Sequence, residues 1–230
     1  MFRELLSIFR SGDPLGRTAA NFSRMLKIAN ELTVKAGNIY FSDLAAPDEL
    51  TEVYKRDVKV NKLERKIRKQ VIAHLSVHGT SADLPHALVL MSLVKDAERI
   101  GDYAKNLAET LDVAGVTLPD DDVVSELREI RAGVESAFTT AGEVFARSDQ
   151  EEAVDLIRQG RDITHRCDAL ISRVARSDYN AATTTAVVLG TRFYKRIGAH
   201  LLNILSSVVM PLHKLDYYDE KLLDRAKDRS

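Results

Sequence analysis

Glu98 and Asp102 stand one helical turn apart in the stretch 89–111, VLMSLVKDAERIGDYAKNLAETL, and this is the first place to look for chemistry. Like charges at i and i+4 disfavour a helix by about 0.2–0.5 kcal/mol, so something must offset them. Lys95 and Lys105 are close enough in sequence to do so as ion pairs; the alternative is a cation bridging both carboxylates, since oxygen ligands suit hard or borderline metals. A second pair of acids, Asp57 and Glu64, flanks Asn61 between the apolar and the basic side of an earlier helical segment, from where they can point across a helix–helix groove. That segment also carries a basic stripe, Lys55, Lys59, Lys62, Lys66 and Lys69, which is either a solvated face or a docking surface for an anionic partner.

Other constellations are weaker. His74 and His78 have the i, i+4 spacing of a zinc pair, yet no Glu lies between them as a zincin base requires. Cys167 and His165 are two apart and diverge on a helix, which argues against a nucleophile–base pair. No Glu is followed three residues later by His, as a ferritin-like di-iron site demands, and no glycine-rich phosphate loop is present.

The elements that must position these groups are helices. The chain has 230 residues, 45% hydrophobic and 29% charged, with 33 basic against 34 acidic side chains. Near-neutral charge gives no bulk electrostatic argument for nucleic acid or a membrane. One cysteine excludes an internal disulfide and fits a reducing cytoplasm. The opening MFRELLSIFRSG has charges among its apolar residues and does not read as a signal peptide. The apolar run 197–212 contains His200, Asn203 and two serines and falls short of the roughly 20 residues that span a bilayer.

Long 3.6-residue periods with five prolines and eleven glycines give an all-α class. The periodicity predicts helices over about 18–41, 48–77, 120–146, 151–176 and 181–210, with Pro211 ending the last, and a third helix capped by residues 79–83, with Pro85 in its first turn, that ends near 113–115. It also suggests a short amphipathic piece over 2–10 and a helical tail over 212–227. The expected organisation is an N-terminal arm (1–17), two tandem antiparallel three-helix bundles (18–116 and 117–213) and a C-terminal tail (214–230). In the third helix Leu93, Ala97, Ile100, Ala104, Leu107 and Leu111 form one core-facing stripe, and Gly101 implies a close approach by a neighbouring helix or ligand.

An internal repeat supports three plus three. Glu98-Arg99-Ile100-Gly101-Asp102 returns as Lys195-Arg196-Ile197-Gly198-Ala199, and Asn106 returns as Asn203 at the same spacing. The arginine, glycine and asparagine persist while both carboxylates are lost.

These residues resemble the PhoU family, accessory and regulatory proteins of phosphate transport built from two tandem three-helix bundles. The resemblance rests on Ala82-Asp83-Leu84, on 96–106 (DAERIGDYAKN), on Asp57, Val60, Asn61 and Glu64, and more weakly on Arg196-Ile197-Gly198 and on Leu215-Asp216-Tyr217-Tyr218. It implies a cytoplasmic, non-catalytic homodimer that links a phosphate ABC transporter to a sensor histidine kinase and restrains uptake and starvation signalling. It also implies a divalent metal, or an iron or zinc cluster, with Asp57, Glu64, Glu98 and Asp102 as the matching residues; because Lys195 and Ala199 replace the second acidic pair, metal is expected in the first bundle only or in neither. Arg99, Arg196, Lys55, Lys59, Lys62 and Lys66 are the partner-facing candidates, and the membrane would be reached through partners alone. The alternatives are an interaction module attached to another phosphate carrier and a metal-buffering protein.

Overall fold

The computed structural model describes residues 14–42, 47–77, 79–81, 83–147 and 149–216. Among them lie six helices, α1 (Pro14–Tyr40), α2 (Pro47–Val77), α3 (Asp83–Ala114), α4 (Asp122–Arg147), α5 (Gln150–Val174) and α6 (Ala181–Val209), and then a 3-10 turn over Leu212–Lys214. Helices α1, α2 and α3 pack on one another, as do α4, α5 and α6, so the fold is two tandem three-helix bundles. Contacts of α3 with α6 and of α1 with α4 join them, and one apolar core runs without a break through both.

The helix ends follow from local chemistry. Helix α1 begins at Pro14, four residues before the predicted start, because a proline at the first helical position has no amide hydrogen to leave unpaired. The arm over 2–10 lies outside the described residues, and so does the tail after Asp216. Asp121 Oδ1 accepts from the backbone N–H groups of Val123 and Val124 at 3.0 Å each and caps α4. Asp149 caps α5 by accepting from Glu152 N–H at 3.1 Å, and Asn180 caps α6 by accepting from Thr183 N–H at 2.8 Å. Gly115, at φ 65°, closes α3 by donating its N–H to Leu111 O at 2.9 Å.

The two bundles are fastened by large side chains set against glycines. Tyr40, fully buried at the end of α1, donates its hydroxyl to Ala186 O at 3.0 Å and lies so close to Gly190 of α6 that a Cβ there would overlap the ring. Reciprocally, a Cβ on Gly37 of α1 would come within 2.6 Å of the Tyr194 hydroxyl from α6. Gly101 behaves otherwise. A Cβ there would meet Val60 Cγ1 at 3.4 Å and Asp57 Oδ1 and Leu32 Cδ2 at 3.8 Å, ordinary van der Waals distances, so the close approach expected at this glycine is not sterically required.

Candidate functional site

Packing of α2 on α3 sets Asp57 beside Glu98 and Asp102, as the sequence suggested. Val53, Val60 and Ile67 line the buried side of α2, and Asp57, one turn before Val60 and offset about 60° around the helix, is carried into the groove with them. Lys105 Nζ lies 3.7 Å from Asp57 Oδ2 and 3.6 Å from Asp102 Oδ1, so one ammonium spans the two helices. Lys95 Nζ is 2.5 Å from Glu98, and Arg99 reaches Asp102 at 3.5 Å and Glu98 at 3.9 Å. Three carboxylates thus meet three cations of the same chain. Burial raises the Asp57 carboxyl above the usual aspartate range, Lys105 opposes the shift, and the charges of Asp102 and Glu98 add to it. Its Oδ1 is buried without a hydrogen-bond partner.

Glu64 is not part of this cluster. It lies two turns further along α2 and pairs with Arg68 at 2.7 Å. The lysine stripe stands on the opposite flank of α2 from Asp57, facing outward, and does not border the groove. Arg99 sits on the groove's outer edge, whereas Arg196 belongs to the α3–α6 contact: its guanidinium lies 5.5 Å from the centre of the Tyr103 ring and its Nε donates to the Tyr103 hydroxyl at 3.3 Å. The six partner candidates therefore occupy three separate places.

As a test of a metal centre, the donor set gives a divided answer. The carboxylates of Asp57, Glu98 and Asp102 are hard oxygen ligands, and the unpartnered Asp57 Oδ1 offers a free lone pair. Yet Lys105 holds the position between Asp57 and Asp102 that a bridging cation would take, and no group of three or more His, Cys, Asp and Glu side chains among the described residues is arranged to hold an ion. In the second bundle Lys195, the counterpart of Glu98, pairs with Asp168 of α5 at 2.5 Å. Both bundles thus place a lysine–aspartate bridge between their second and third helices.

The remaining candidates are quiet. Cys167 is fully buried and its thiol is pushed up to about 12, chiefly by burial, while His165 is exposed, so the two do not form a reactive pair. His74 is buried near the end of α2 with its Nε2 3.5 Å from Asp83, and His78 lies outside the described residues.

One polar cluster was not anticipated. Asp96 of α3, buried where α6 crosses it, is joined to His200 Nδ1 at 2.7 Å and accepts from Asn203 Nδ2 at 2.9 Å. The His200 ring stacks on Tyr103 with centroids 5.6 Å apart. Asp216, in the left-handed region at φ 71°, donates its N–H to Ser206 Oγ at 3.3 Å, and burial, with the Asp96 charge adding, raises its carboxyl pKa. The signal in the sequence was a histidine and an asparagine inside its most apolar run; from the sequence the histidine counts only against a membrane span and the asparagine besides only as a repeat position.

Comparison with known proteins agrees with this architecture. Residues 22–111 match the family model of the PhoU domain. A phosphate-specific transport system accessory protein PhoU homolog from Xylella fastidiosa (strain Temecula1) is 26% identical over 211 residues, 87% of this chain and 84% of that protein. A DegV domain-containing protein from Clostridium perfringens is 29% identical over 147 residues, but the chain spans only 41% of its length. The crystal structure of PhoU from Pseudomonas aeruginosa aligns with a TM-score of 0.74 at 22% identity, covering 85% of this chain and 95% of that one, a likeness of fold. The first bundle thus matches the PhoU domain model over residues 22–111, and the chain as a whole shares the fold of the PhoU crystal structure.

Proposed function

We propose that this chain is a cytoplasmic, non-catalytic adaptor of phosphate homeostasis. It restrains phosphate uptake and starvation signalling by contacting a phosphate transporter and a sensor histidine kinase, and it works as a homodimer. The observation that supports this most is the likeness along 87% of the chain to a protein named for phosphate-specific transport. The groove fits a docking role better than a catalytic one, because each of its acids is neutralised by a lysine or arginine of the same chain and no nucleophile stands beside a base. Among the described residues no helix is long and apolar enough to cross a membrane.

Deleting the gene and following phosphate uptake with a starvation reporter tests the reading. Uptake and reporter activity unrestrained at high phosphate are expected. Unchanged regulation with loss of a physical association would instead make the chain an interaction module of another phosphate carrier.

A second reading is supported by the unpartnered Asp57 Oδ1: a divalent ion displacing Lys105 would be held by Asp57, Glu98 and Asp102 and would supply fixed positive charge to the groove. Metal content of the purified protein beside a Glu98→Ala, Asp102→Ala variant tests it, and equal content in both removes it. High stoichiometry would favour a metal buffer.

A further inference from the structure

The outward face of α2 is the most one-sided surface of the molecule. From residue 55 to residue 69 it exposes Lys55, Lys59, Lys62, Arg65, Lys66 and Lys69, and the two acids of that span, Asp57 and Glu64, are turned away from it. Lys55 is matched by Glu52 at 3.0 Å, while Lys59, Lys62, Arg65 and Lys69 make no ion pair among the described residues. Four of these side chains, Lys62, Arg65, Lys66 and Lys69, rim a shallow open depression. Helix α5, the second helix of the other bundle, is mixed instead: Glu151, Glu152, Asp155, Asp162 and Asp168 alternate with Arg158, Arg161, Arg166 and Arg173. A net charge of −1 therefore hides a concentration of cations on one face of α2.

Apolar side chains crown the basic face. Ile72 (61% exposed) follows Lys69 by about one turn and Val77 (70%) by about two, at the end of α2, and across the short turn Leu84 (50%) and Leu88 (56%) stand exposed on the first turns of α3, Leu84 in helical phase with Asp102. Four large aliphatic side chains thus stand in water at one end of the first bundle, next to a run of unpaired cations.

We propose that this face binds directly to an anionic lipid bilayer, the lysines and Arg65 over phosphate headgroups and Ile72, Val77, Leu84 and Leu88 at the acyl boundary. Cations near a charged leaflet add roughly equal increments of attraction, and a few aliphatic side chains entering the interface supply the second signal that stable peripheral binding needs. A second copy of the chain fits the face less well. Helix α5, the counterpart of α2 in the other bundle, carries mixed charges, and Val154 is its one exposed large hydrophobic among the described residues, so it offers neither matching charge nor a surface for the four aliphatic side chains to pack on. The inference deepens the adaptor reading by setting the chain on the membrane itself, beside a transporter, with Arg99 left for protein contacts.

The test is co-sedimentation of the full chain with extruded vesicles, either pure phosphatidylcholine or an equal mixture of phosphatidylcholine and phosphatidylglycerol, at about 0.05 and 0.15 M salt. Binding to the mixed vesicles alone, weaker at higher salt, is expected. A Lys62→Glu, Arg65→Glu, Lys69→Glu variant should lose at least about tenfold in partitioning, and Ile72→Ser, Leu88→Ser should lose several-fold at fixed salt. Circular dichroism should match the wild type, since all five side chains are exposed. A charge reversal on the far side, Asp155→Lys with Asp162→Lys, should not weaken binding. No binding, equal binding to both vesicles, or wild-type binding by the triple variant would overturn the proposal. So would a wild-type oligomer that the triple variant converts to monomer. No phosphate-transport component is in the assay, so its outcome is independent of whether the chain regulates phosphate.

Discussion

The two flanks of the α3–α6 contact are copies of one another and have diverged in opposite directions. At the spacing that relates Ile100 to Ile197, Tyr103 corresponds to His200 and Asp96 to Phe193. Tyr103 and His200 stack on each other, so a pseudo-twofold axis passes between equivalent positions. On one flank Tyr103 packs against Phe193 with centroids 6.2 Å apart; on the other His200 bonds to Asp96 at 2.7 Å. An aromatic contact and a buried polar network solve the same packing problem. The repeat thus preserved position and left size and chemistry free to change; the lysine–aspartate bridges between second and third helices, Lys105–Asp57 and Lys195–Asp168, likewise come from positions that the repeat does not relate.

The largest test of that comparison is removal of the polar flank. Asp96→Ala leaves the His200 and Asn203 groups without their common acceptor inside the α3–α6 contact, and a loss of about 3 kcal/mol in denaturant unfolding is expected. Phe193→Leu on the aromatic flank, where no polar group is stranded, should cost less than about 1.5 kcal/mol; equal losses would mean that the flanks are energetically alike.

Glycines supply the next contrast. Gly190→Ala forces a methyl into the buried Tyr40 ring and should destabilise by about 1–3 kcal/mol. Gly101→Ala meets only ordinary contacts and should stabilise by up to about 0.5–1 kcal/mol through helix propensity. Thermal melts of the two variants check the sign as well as the size, and a destabilised Gly101→Ala would restore the close-approach reading of that residue.

The smallest expected effect concerns Asp57 and pH. Burial raises its carboxyl pKa in the folded chain, so the folded state holds the proton more tightly than the unfolded one, and stability contributed by this group falls as pH rises from the ordinary aspartate value through the raised one. Asp57→Asn should therefore raise Tm by a few degrees above that window. The difference should vanish below about pH 3, where both states are protonated. A variant that melts lower at neutral pH would show that the Lys105 pair outweighs the desolvation.

By itself the sequence determined the helical class, the six helices to within a few residues and the three-plus-three repeat, because each of these is written in local periodicity and caps. The start of α1 was missed because Gly12, Pro14 and Gly16 read as a break, although proline is at home in a first turn. Tertiary structure alone decided which charges meet. It put Lys105 between two acids, gave Glu64 to Arg68, turned the lysine stripe away from the groove, joined Asp96 to His200 and Asn203, and made Gly190 rather than Gly101 the glycine that packing requires. The reason is physical: a helix face is fixed by neighbours three and four residues away, whereas partners a hundred residues apart are chosen only when two helices cross.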